Sequence, residues 1–433
     1  MESQTVSSRK LSGYEFYRKI LGSPKFVVAP MVDQSELAWR VLSRRYGAHL
    51  AYTPMINSKH FGSIRNKTFR ELNFSILNGE EGNEKLDRPL VVQFCGNDPQ
   101  QVLESAKILE PYCDAVDINL GCPQDIAKRG YYGAYLQDDW DLIYRIINTL
   151  HTNLNIPVTA KFRVFPDVEK TVEYAKMLER AGAQILTCHG RTREQRGVNT
   201  GLADWAKIKA VKEAVSVPVF ANGNILYYSD IETCLKATGA DAVMSAEGNL
   251  YNPALFRPSL FATDLDLPEK GNKDIDISLE HLPITDLALE YLEIVKQQKT
   301  PTDWGAVKGH LFKLLRPGFA TAVDLRTKMS KVPNPKGKPG SENDMASGLE
   351  AYELIVRELK ERLQADMKAA EGTDAGRVHI DPSTGVRFVP HWLSQPYFRP
   401  APPPPPPNKR AKADIKKYLD ERKSVETAES FAL

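Results

Sequence analysis

Cys122 stands in a sequence context suited to proton transfer. It follows Asn119-Leu120-Gly121 at the end of a β-rich run, and the proline after it fixes the local turn. With an unperturbed pKa of about 8.5, a thiol is mostly protonated at neutral pH and still acidic enough to protonate an enolate carbon. An isolated cysteine at a strand end is equally often an inert core residue, so the interpretation depends on the groups around it.

Gln93, Lys161 and His189 also lie at the ends of β-rich runs. Taken singly, the lysine would be a solvated charge and the histidine a satisfied core residue. If they point into one pocket, they suit a polar ring system on which negative charge develops, such as a reduced flavin. Gly223 and Gly248 follow the last two runs, where backbone N–H groups can approach a phosphate; this implies a phosphate-bearing cofactor.

Eight β-rich runs alternate with amphipathic segments over residues 20–265. The pattern is typical of βα units, and eight units in about 240 residues match a TIM (β/α)8 barrel, whose active site lies at the carboxyl ends of the strands. A doubly wound sheet is the alternative, but it needs a glycine-rich phosphate turn early in the chain, and Ala29-Pro30-Met31-Val32 is no such turn. The predicted strands are FVVA (26–29), HLAY (49–52), LVVQF (90–94), AVDINL (115–120), VTAKF (158–162), ILTCH (185–189), VFAN (219–222) and AVMSA (242–246).

Three regions are predicted along the chain. Residues 20–265 form the α/β barrel, and residues 280–370 form a smaller all-helical domain because they contain helical patterns without β-rich runs. Residues 371–433 form a Pro-rich and basic tail that is expected to be largely disordered, with polyproline II at residues 402–407. The tail is interpreted as a stiff spacer with a solvated end; nucleic-acid contact or nuclear import is the alternative.

Composition places few limits on the partners. A formal net charge of +2 over 433 residues neither demands nor excludes nucleic acid. Five widely spaced cysteines without a CxxC pair indicate neither a disulfide framework nor a metal site. No apolar window approaches the roughly 20 residues of a membrane span, and the N-terminus lacks a signal-peptide pattern. We therefore expect a monomer without a membrane partner, located in the cytoplasm, the nucleus or both.

The ordered motifs of the barrel resemble those of the tRNA-dihydrouridine synthase family. The resemblance implies an NADPH- or NADH-dependent flavin oxidoreductase that reduces the C5=C6 bond of uridine in tRNA to 5,6-dihydrouridine. A eukaryotic branch of the family is the most similar, which implies uridines 16 and 17 of the D-loop. The motifs are APM (29–31), QFCG (93–96), DINLGCPQ (117–124), KFR (161–163), HGRTR (189–193) and NGNI (222–225), followed by HLFKLL (310–315), which looks like the tRNA-binding domain of the family.

The resemblance also assigns roles to residues. FMN would lie across the strand ends, and Cys122 would be the catalytic acid that protonates C5 after hydride has reached C6. Tyr135 stands where some bacterial relatives have a second cysteine, which leaves Cys122 as the sole candidate. AEG (246–248) stands where many relatives have GlyArg, so the phosphate would depend on backbone donors. The implied FMN-binding residues are Pro30, Met31, Val32, Gln93, Lys161, His189, Asn222, Gly223, Asn224, Ala246, Glu247 and Gly248.

Cations on the barrel-mouth loops and on one later helix are the expected RNA contacts. A uridine must leave its stack to reach a flavin at the barrel mouth, so backbone phosphates would lie over these loops. Solvated charge explains any single one of them equally well. The predicted RNA-binding residues are Lys128, Arg129, Arg163, Arg191, Arg193, Lys308, Lys313 and Arg316, with Arg196 beside them.

Two other functions fit parts of the sequence. A flavin reductase of free pyrimidines would use the same barrel, but it has no need of a basic helical domain, and iron–sulfur cysteine clusters seen in some such enzymes are missing. A catalytically silent RNA-binding barrel is the second alternative. The intact set of Cys122, Lys161 and His189 favours an enzyme over that alternative.

Overall fold

The computed structural model describes residues 10–63, 65–197, 200–257, 281–334, 342–380 and 387–397. Their chain forms two compact units. The first comprises the described residues up to 249 together with 254–257 and 298–300. The second comprises residues 250–253 and the remaining described residues from 281 onward. The predicted barrel boundary at residue 265 lies outside the described residues.

Eight parallel strands close into a barrel in the first unit. The strands that begin at residues 26, 50, 90, 115, 158, 185, 219 and 242 pair in that order, each with the next, and the last pairs again with the first. Most of their residues are buried on both faces, because side chains fill the barrel on one side and helices cover the other. All eight predicted runs are strands, so the TIM-barrel prediction is confirmed. The strands are β1 (Phe26–Val28), β2 (Leu50–Tyr52), β3 (Ile56–Asn57, beside β4), β4 (Leu90–Cys95), β5 (Ala115–Leu120), β6 (Val158–Arg163), β7 (Ile185–His189), β8 (Val219–Asn222) and β9 (Ala242–Ser245).

Helices of the first unit begin at polar caps that the sequence supplies. Asp98, Asp139, Asp167 and Asp204 each accept a backbone N–H of the first turn, which satisfies a donor that has no partner inside the helix. The helices are α1 (Gly13–Lys19), α2 (Leu37–Arg45), α3 (Ser58–Phe61), α4 (Lys67–Asn73), α5 (Pro99–Leu109), α6 (Asp125–Gly130), α7 (Trp140–Asn153), α8 (Val168–Ala181), α9 (Trp205–Ala214), α10 (Tyr228–Thr238) and α11 (Glu247–Tyr251).

A buried ion cluster joins α2 to the segment that leads into β4. Arg40 is completely buried, and its guanidinium donates to both carboxylate oxygens of Asp87 at 2.7 and 2.6 Å. It lies 3.3 Å from a carboxylate oxygen of Glu81 as well. Because a buried charge is tolerated only when it is paired, this cluster fixes residues 81–87 against the barrel.

The second unit is mainly helical, as predicted. Trp304 stacks on Tyr352 with ring centroids 4.8 Å apart, and the ring of the buried His310 meets the edge of Tyr291 at 5.0 Å. These contacts join the helices that carry Tyr291 and Tyr352 to the helix that carries Trp304 and His310. The helices are α12 (Ile284–Gln297), α13 (Trp304–Leu314), α14 (Arg316–Phe319), α15 (Val323–Lys331) and α16 (Glu342–Ala369).

Ordered structure in the second unit extends beyond residue 370, where the sequence predicts the start of the tail. A short antiparallel pair joins β10 (His379–Ile380) to β11 (Arg387–Phe388). Trp392 and Ser394 are buried, and Leu393 forms a β-bridge with Pro283. This segment packs onto the second unit because the apolar side chains at residues 389 and 392 are buried there. Residues 398–433, with the proline run, lie outside the described residues.

Candidate active site

The polar residues predicted from the sequence meet at the carboxyl ends of neighbouring barrel strands. Asn119 on β5 is in register with Lys161 on β6. His189 on β7 is in register with Asn222 on β8. Gln93 lies near the end of β4, and its side-chain Oε1 accepts a 2.7 Å hydrogen bond from Asn119 Nδ2. The barrel therefore brings together groups that are more than a hundred positions apart in the sequence.

Cys122 lies in a loop whose backbone is held by hydrogen bonds on several sides. Its N–H donates to Asn119 Oδ1 at 2.9 Å, and its carbonyl accepts from the N–H of Ala134 at 3.0 Å. The carbonyl of Gly121 accepts from Arg163 Nε at 2.8 Å. The loop is thus fixed at the strand ends, so the position of the thiol is set by the barrel.

Cys122 is the one cysteine that is only partly buried. All five cysteines are described, and the other four are buried. The thiol packs beside Cys95, Ala127 and Tyr132. Burial raises its pKa, although the cations of Arg163 and Lys161 act in the opposite direction. A raised thiol pKa keeps the proton on sulfur at neutral pH, which is the state that an acid requires.

Lys161 places an ammonium group at the mouth of the barrel. Its Nζ donates to Asn222 Oδ1 at 3.0 Å, and Asn222 is oriented by donation of its Nδ2 to the carbonyl of Met244 at 2.8 Å. Within the described chain Lys161 forms no ion pair with a carboxylate. Burial and the neighbouring Arg163 lower its pKa to about 8. The carboxylate of Asp117 acts in the opposite direction on this pKa. The group is therefore largely a cation at neutral pH, and its lack of a direct ion pair suits an anionic partner.

His189 is uncharged in this environment. Burial, followed by the cations Lys161, Arg163 and Arg191, holds its pKa well below the usual value. Its Nε2 lies 3.2 Å from an amino nitrogen of Arg191. Because a guanidinium group only donates, Nε2 is the acceptor and the ring proton lies on Nδ1.

The described residues contain no group of three or more histidine, cysteine or acidic side chains that could hold a metal ion. Among them, no helix is long and apolar enough to cross a membrane.

A comparison with known protein families shows to which family the chain belongs. The family described as dihydrouridine synthase (Dus) matches residues 27–347, most of the chain. The chain belongs to the dihydrouridine synthase family.

Curated members of the family are similar over nearly the whole chain. The tRNA-dihydrouridine(16/17) synthase [NAD(P)(+)] of Saccharomyces cerevisiae is 47% identical over 90% of this chain and 87% of its own length. The Schizosaccharomyces pombe protein of the same name is 45% identical over 91% and 92%. A mouse protein named tRNA-dihydrouridine(16/17) synthase [NAD(P)(+)]-like is 45% identical over 91% of this chain and 72% of its own. The family resemblance read from the motifs is confirmed.

The other residues predicted to bind FMN also lie on barrel-mouth loops. Pro30, Met31 and Val32 follow β1; Met31 is buried and donates its N–H to Ser35 Oγ at 3.0 Å, whereas Val32 is exposed. Ala246, Glu247 and Gly248 follow β9 at the start of α11. The contacts of these residues with a cofactor stay a prediction.

Packing alone requires the two glycines that the sequence linked to a phosphate. Gly223 has φ +118°, and a Cβ there would lie 2.6 Å from the Cβ of Ala203. A Cβ on Gly248 would lie 2.1 Å from the carbonyl oxygen of Ile225. Both positions exclude larger residues whether or not a phosphate binds, so the glycines by themselves do not identify a phosphate site.

The predicted RNA-binding residues differ in their surroundings. Arg163 and Arg191 point inward: Arg163 donates to the carbonyls of Gly121, Thr192 and Gln195, and Arg191 donates to Asn224 Oδ1 at 2.9 Å. Arg193 pairs with Asp138 and Glu194, and Arg196 pairs with Asp125. Lys128, Arg129 and Arg316 are exposed, while Lys308 and Lys313 are half-buried and donate to backbone carbonyls.

Asp117 and Asn119 are site residues that the sequence analysis quoted within a motif but assigned no role. Asp117 is completely buried inside the barrel, and Asn119 holds the Cys122 loop. The available signal was an aspartate between the apolar residues 116 and 118 of a strand, because an acidic residue is rarely fully buried without a specific partner.

Proposed function

We propose that the chain is a flavin-dependent oxidoreductase that reduces uridine to 5,6-dihydrouridine in tRNA, with Cys122 as the acid. Membership of the dihydrouridine synthase family supports the reaction. The names of the relatives support uridines 16 and 17 as targets and NADPH or NADH as the reductant. The observation that carries the proposal is the partly buried Cys122 on a loop fixed at the strand ends, within the electrostatic influence of Arg163 and Lys161.

The residues at the barrel mouth fit FMN. Lys161 is a half-buried cation that forms no ion pair with a carboxylate in the described chain, and it would face the negative charge of a reduced flavin ring. Asn222 offers an amide group beside it, and the neutral His189 offers a ring nitrogen. When bound, FMN supplies the hydride that reduces C6 of uracil.

Proton delivery is the task of Cys122. Addition of hydride at C6 leaves an enolate across C5, C4 and O4 of the uracil, and C5 must then receive a proton. The Cys122 Sγ–H bond breaks, a C5–H bond forms, and the sulfur is left as a thiolate that regains a proton from solvent. A pKa raised by burial keeps the thiol protonated before transfer, and nearby cationic Arg163 and Lys161 stabilise the thiolate afterwards.

Substrate RNA would be held by cations outside the site. Lys128 and Arg129 are exposed on α6, directly after the Cys122 loop, and Arg316 is exposed in the helical unit. Such cations bind RNA phosphates and set the salt dependence of affinity without reading sequence. The uridine itself must be turned out of its stack to reach Cys122.

The test is dihydrouridine formation by purified protein. Wild type and Cys122→Ala are incubated with unmodified tRNA transcript and NADPH, and the digested RNA is measured by mass spectrometry. We expect dihydrouridine from wild type and a loss of about 100-fold or more in the variant, while NADPH still reduces its flavin. Reduction of free uracil but not of tRNA by a flavin-loaded wild type would support a free-pyrimidine reductase instead.

A control with native tRNA lacking only dihydrouridine accompanies the transcript, because other modifications can be required for recognition. Flavin-loaded wild type that reduces neither RNA nor free pyrimidine would contradict the proposed enzyme.

A further inference from the structure

We propose that Asp117 is a positioning residue: by fixing the orientation of two amide side chains in series, it holds the loop that carries Cys122. This role rests on the proposed proton donation by Cys122. Asp117 lies on β5 inside the barrel, and it belongs to neither the mouth loops nor the predicted cofactor contacts.

The series begins at the Asp117 carboxylate. Its Oδ2 accepts from Gln93 Nε2 at 2.7 Å, and its Oδ1 accepts from the hydroxyl of Thr159 at 2.6 Å. Gln93 Oε1 in turn accepts from Asn119 Nδ2 at 2.7 Å. Asn119 Oδ1 then accepts the N–H groups of Gly121 at 3.1 Å and of Cys122 at 2.9 Å.

Only one orientation of the two amides satisfies every group in this series. An ionised carboxylate accepts hydrogen bonds and donates none, so Gln93 must turn its NH₂ toward Asp117. The Gln93 oxygen then faces Asn119, which must donate a hydrogen bond from its own NH₂ group. As a result the Asn119 oxygen points at the Cys122 loop, where it meets two backbone donors. If either amide turned over, two acceptors or two donors would face each other inside the barrel.

Burial makes this choice of orientation strict. Asp117 and Gln93 are completely buried, and Thr159 is nearly so, which leaves no water to satisfy a wrongly turned Gln93 amide. Asn119 is half-buried, and its orientation follows from the Gln93 oxygen that it faces. Burial raises the pKa of Asp117 to about 6, with hydrogen bonds from Thr159 and Gln93 and the charge of Lys161 acting in the opposite direction. The carboxylate is therefore ionised at neutral pH.

The first experiment compares Asp117→Ala with Asp117→Asn in the full-length, flavin-loaded protein. Asparagine can accept from Gln93 with its oxygen and donate to the Thr159 hydroxyl, so it keeps the series intact, whereas alanine removes it. In Asp117→Ala we expect iodoacetamide to alkylate Cys122 faster, and tRNA to reoxidise the reduced flavin about 10- to 100-fold more slowly. Reduction of the flavin by NADPH should stay within about twofold.

Rescue is the diagnostic result: Asp117→Asn should restore most of the reoxidation rate and the slow alkylation of Cys122. Thr159→Val serves as a matched control, because it removes the other donor to the same carboxylate and leaves the bond to Gln93. Its Cys122 alkylation rate should remain near that of wild type.

A second experiment reverses the direction of the series, and it keeps the proposal testable if Asp117→Ala does not fold. Asn119→Asp keeps an acceptor for the loop but sets an acid against Gln93 Oε1, so it should loosen the loop. Adding Asp117→Asn lets Gln93 turn over: the introduced amide would donate to the Gln93 oxygen, and the introduced acid would accept from the Gln93 NH₂. We therefore expect Asp117→Asn to reverse the increase in Cys122 alkylation that Asn119→Asp causes.

Two results would overturn the proposal: wild-type alkylation and reoxidation rates in a folded Asp117→Ala protein, or no reversal in the double variant. Equal slowing of NADPH reduction and tRNA reoxidation would also overturn it, because that pattern indicates a general loss of structure. The alkylation measurements require no turnover, so failure of the proposed RNA reduction is distinguishable from failure of the positioning role.

Discussion

Arg191 donates to His189 at the mouth of the barrel, with 3.2 Å between Nη1 and Nε2. The same guanidinium donates to Asn224 Oδ1 at 2.9 Å and to the carbonyl of Gly201 at 3.0 Å. The sequence analysis interpreted Arg191 as an RNA contact, but these bonds direct it toward two predicted flavin-binding residues. We therefore predict that Arg191 fixes the ring of His189 in one tautomer, and its contact with RNA stays a prediction.

Replacement of Arg191 by leucine separates these two roles. We expect FMN to bind about fivefold to tenfold more weakly, the effect of about one lost hydrogen bond, because His189 is no longer held. The dependence of tRNA affinity on salt should not change. Arg129→Leu is the matched control, since it removes an exposed cation of the mouth and should give the opposite pattern. Fluorescence titration measures FMN binding; a reduced salt slope in Arg191→Leu would support the RNA role instead.

Lys161 makes FMN binding depend on pH. Its pKa is lowered to about 8, so the side chain is charged at pH 7 and largely neutral at pH 9. A ligand that brings negative charge to this group, such as the reduced flavin ring, raises that pKa, so its binding takes up a proton. The affinity for reduced FMN should therefore fall as the pH rises through 8, by up to about tenfold per pH unit. Lys161→Met should bind more weakly at pH 7 and lack this dependence. Lys176→Met, on the exposed face of α8, should behave as wild type.

Arg316 provides a test of RNA binding by the helical unit. Its guanidinium is exposed and lies 3.7 Å from the ring centroid of Tyr397, which holds the charge at a defined place on the surface. We expect Arg316→Glu to weaken tRNA binding and to lower the salt slope by about 1, with unchanged flavin content. Lys236→Glu, an exposed substitution on α10, is the control. Unchanged tRNA affinity of Arg316→Glu at low and moderate salt would contradict an RNA contact.

We expect replacement of Arg40 to destabilise the folded chain, although Arg40 lies far from Cys122 in the sequence. Arg40→Leu leaves the buried carboxylates of Asp87 and Glu81 without their cation and should lower the free energy of unfolding by about 3–5 kcal/mol. Burial already raises the pKa of Glu81 to about 7. Loss of Arg40 raises it further, so the folded variant binds an extra proton and should regain stability as the pH falls from 8 to 6.

Urea unfolding at both pH values measures this effect. Lys236→Ala, which breaks an exposed ion pair with Glu232, should cost less than about 1 kcal/mol. Equal stability of Arg40→Leu and Lys236→Ala would mean that the buried cluster contributes little.

The barrel and the identity of the candidate acid can be predicted from the amino-acid sequence. Alternating β-rich and amphipathic segments specify a parallel closed sheet because both faces of each strand are buried, and such runs are visible without coordinates. The motif around Cys122 and the strand-end positions of Gln93, Lys161 and His189 followed from the same pattern. These are local signals, carried by residues a few positions apart.

The directions of the polar side chains and their hydrogen-bond partners are visible only in the folded structure. Arg163 and Arg191 are cations in the sequence like Lys128 and Arg129, yet the fold turns the first two inward onto loop carbonyls and His189. In the sequence, Asp117 is a single acidic residue within a strand. In the folded barrel, Gln93 on β4 and Thr159 on β6 donate hydrogen bonds to it. Hydrogen bonds between distant strands depend on register and distance, which the local sequence pattern does not encode.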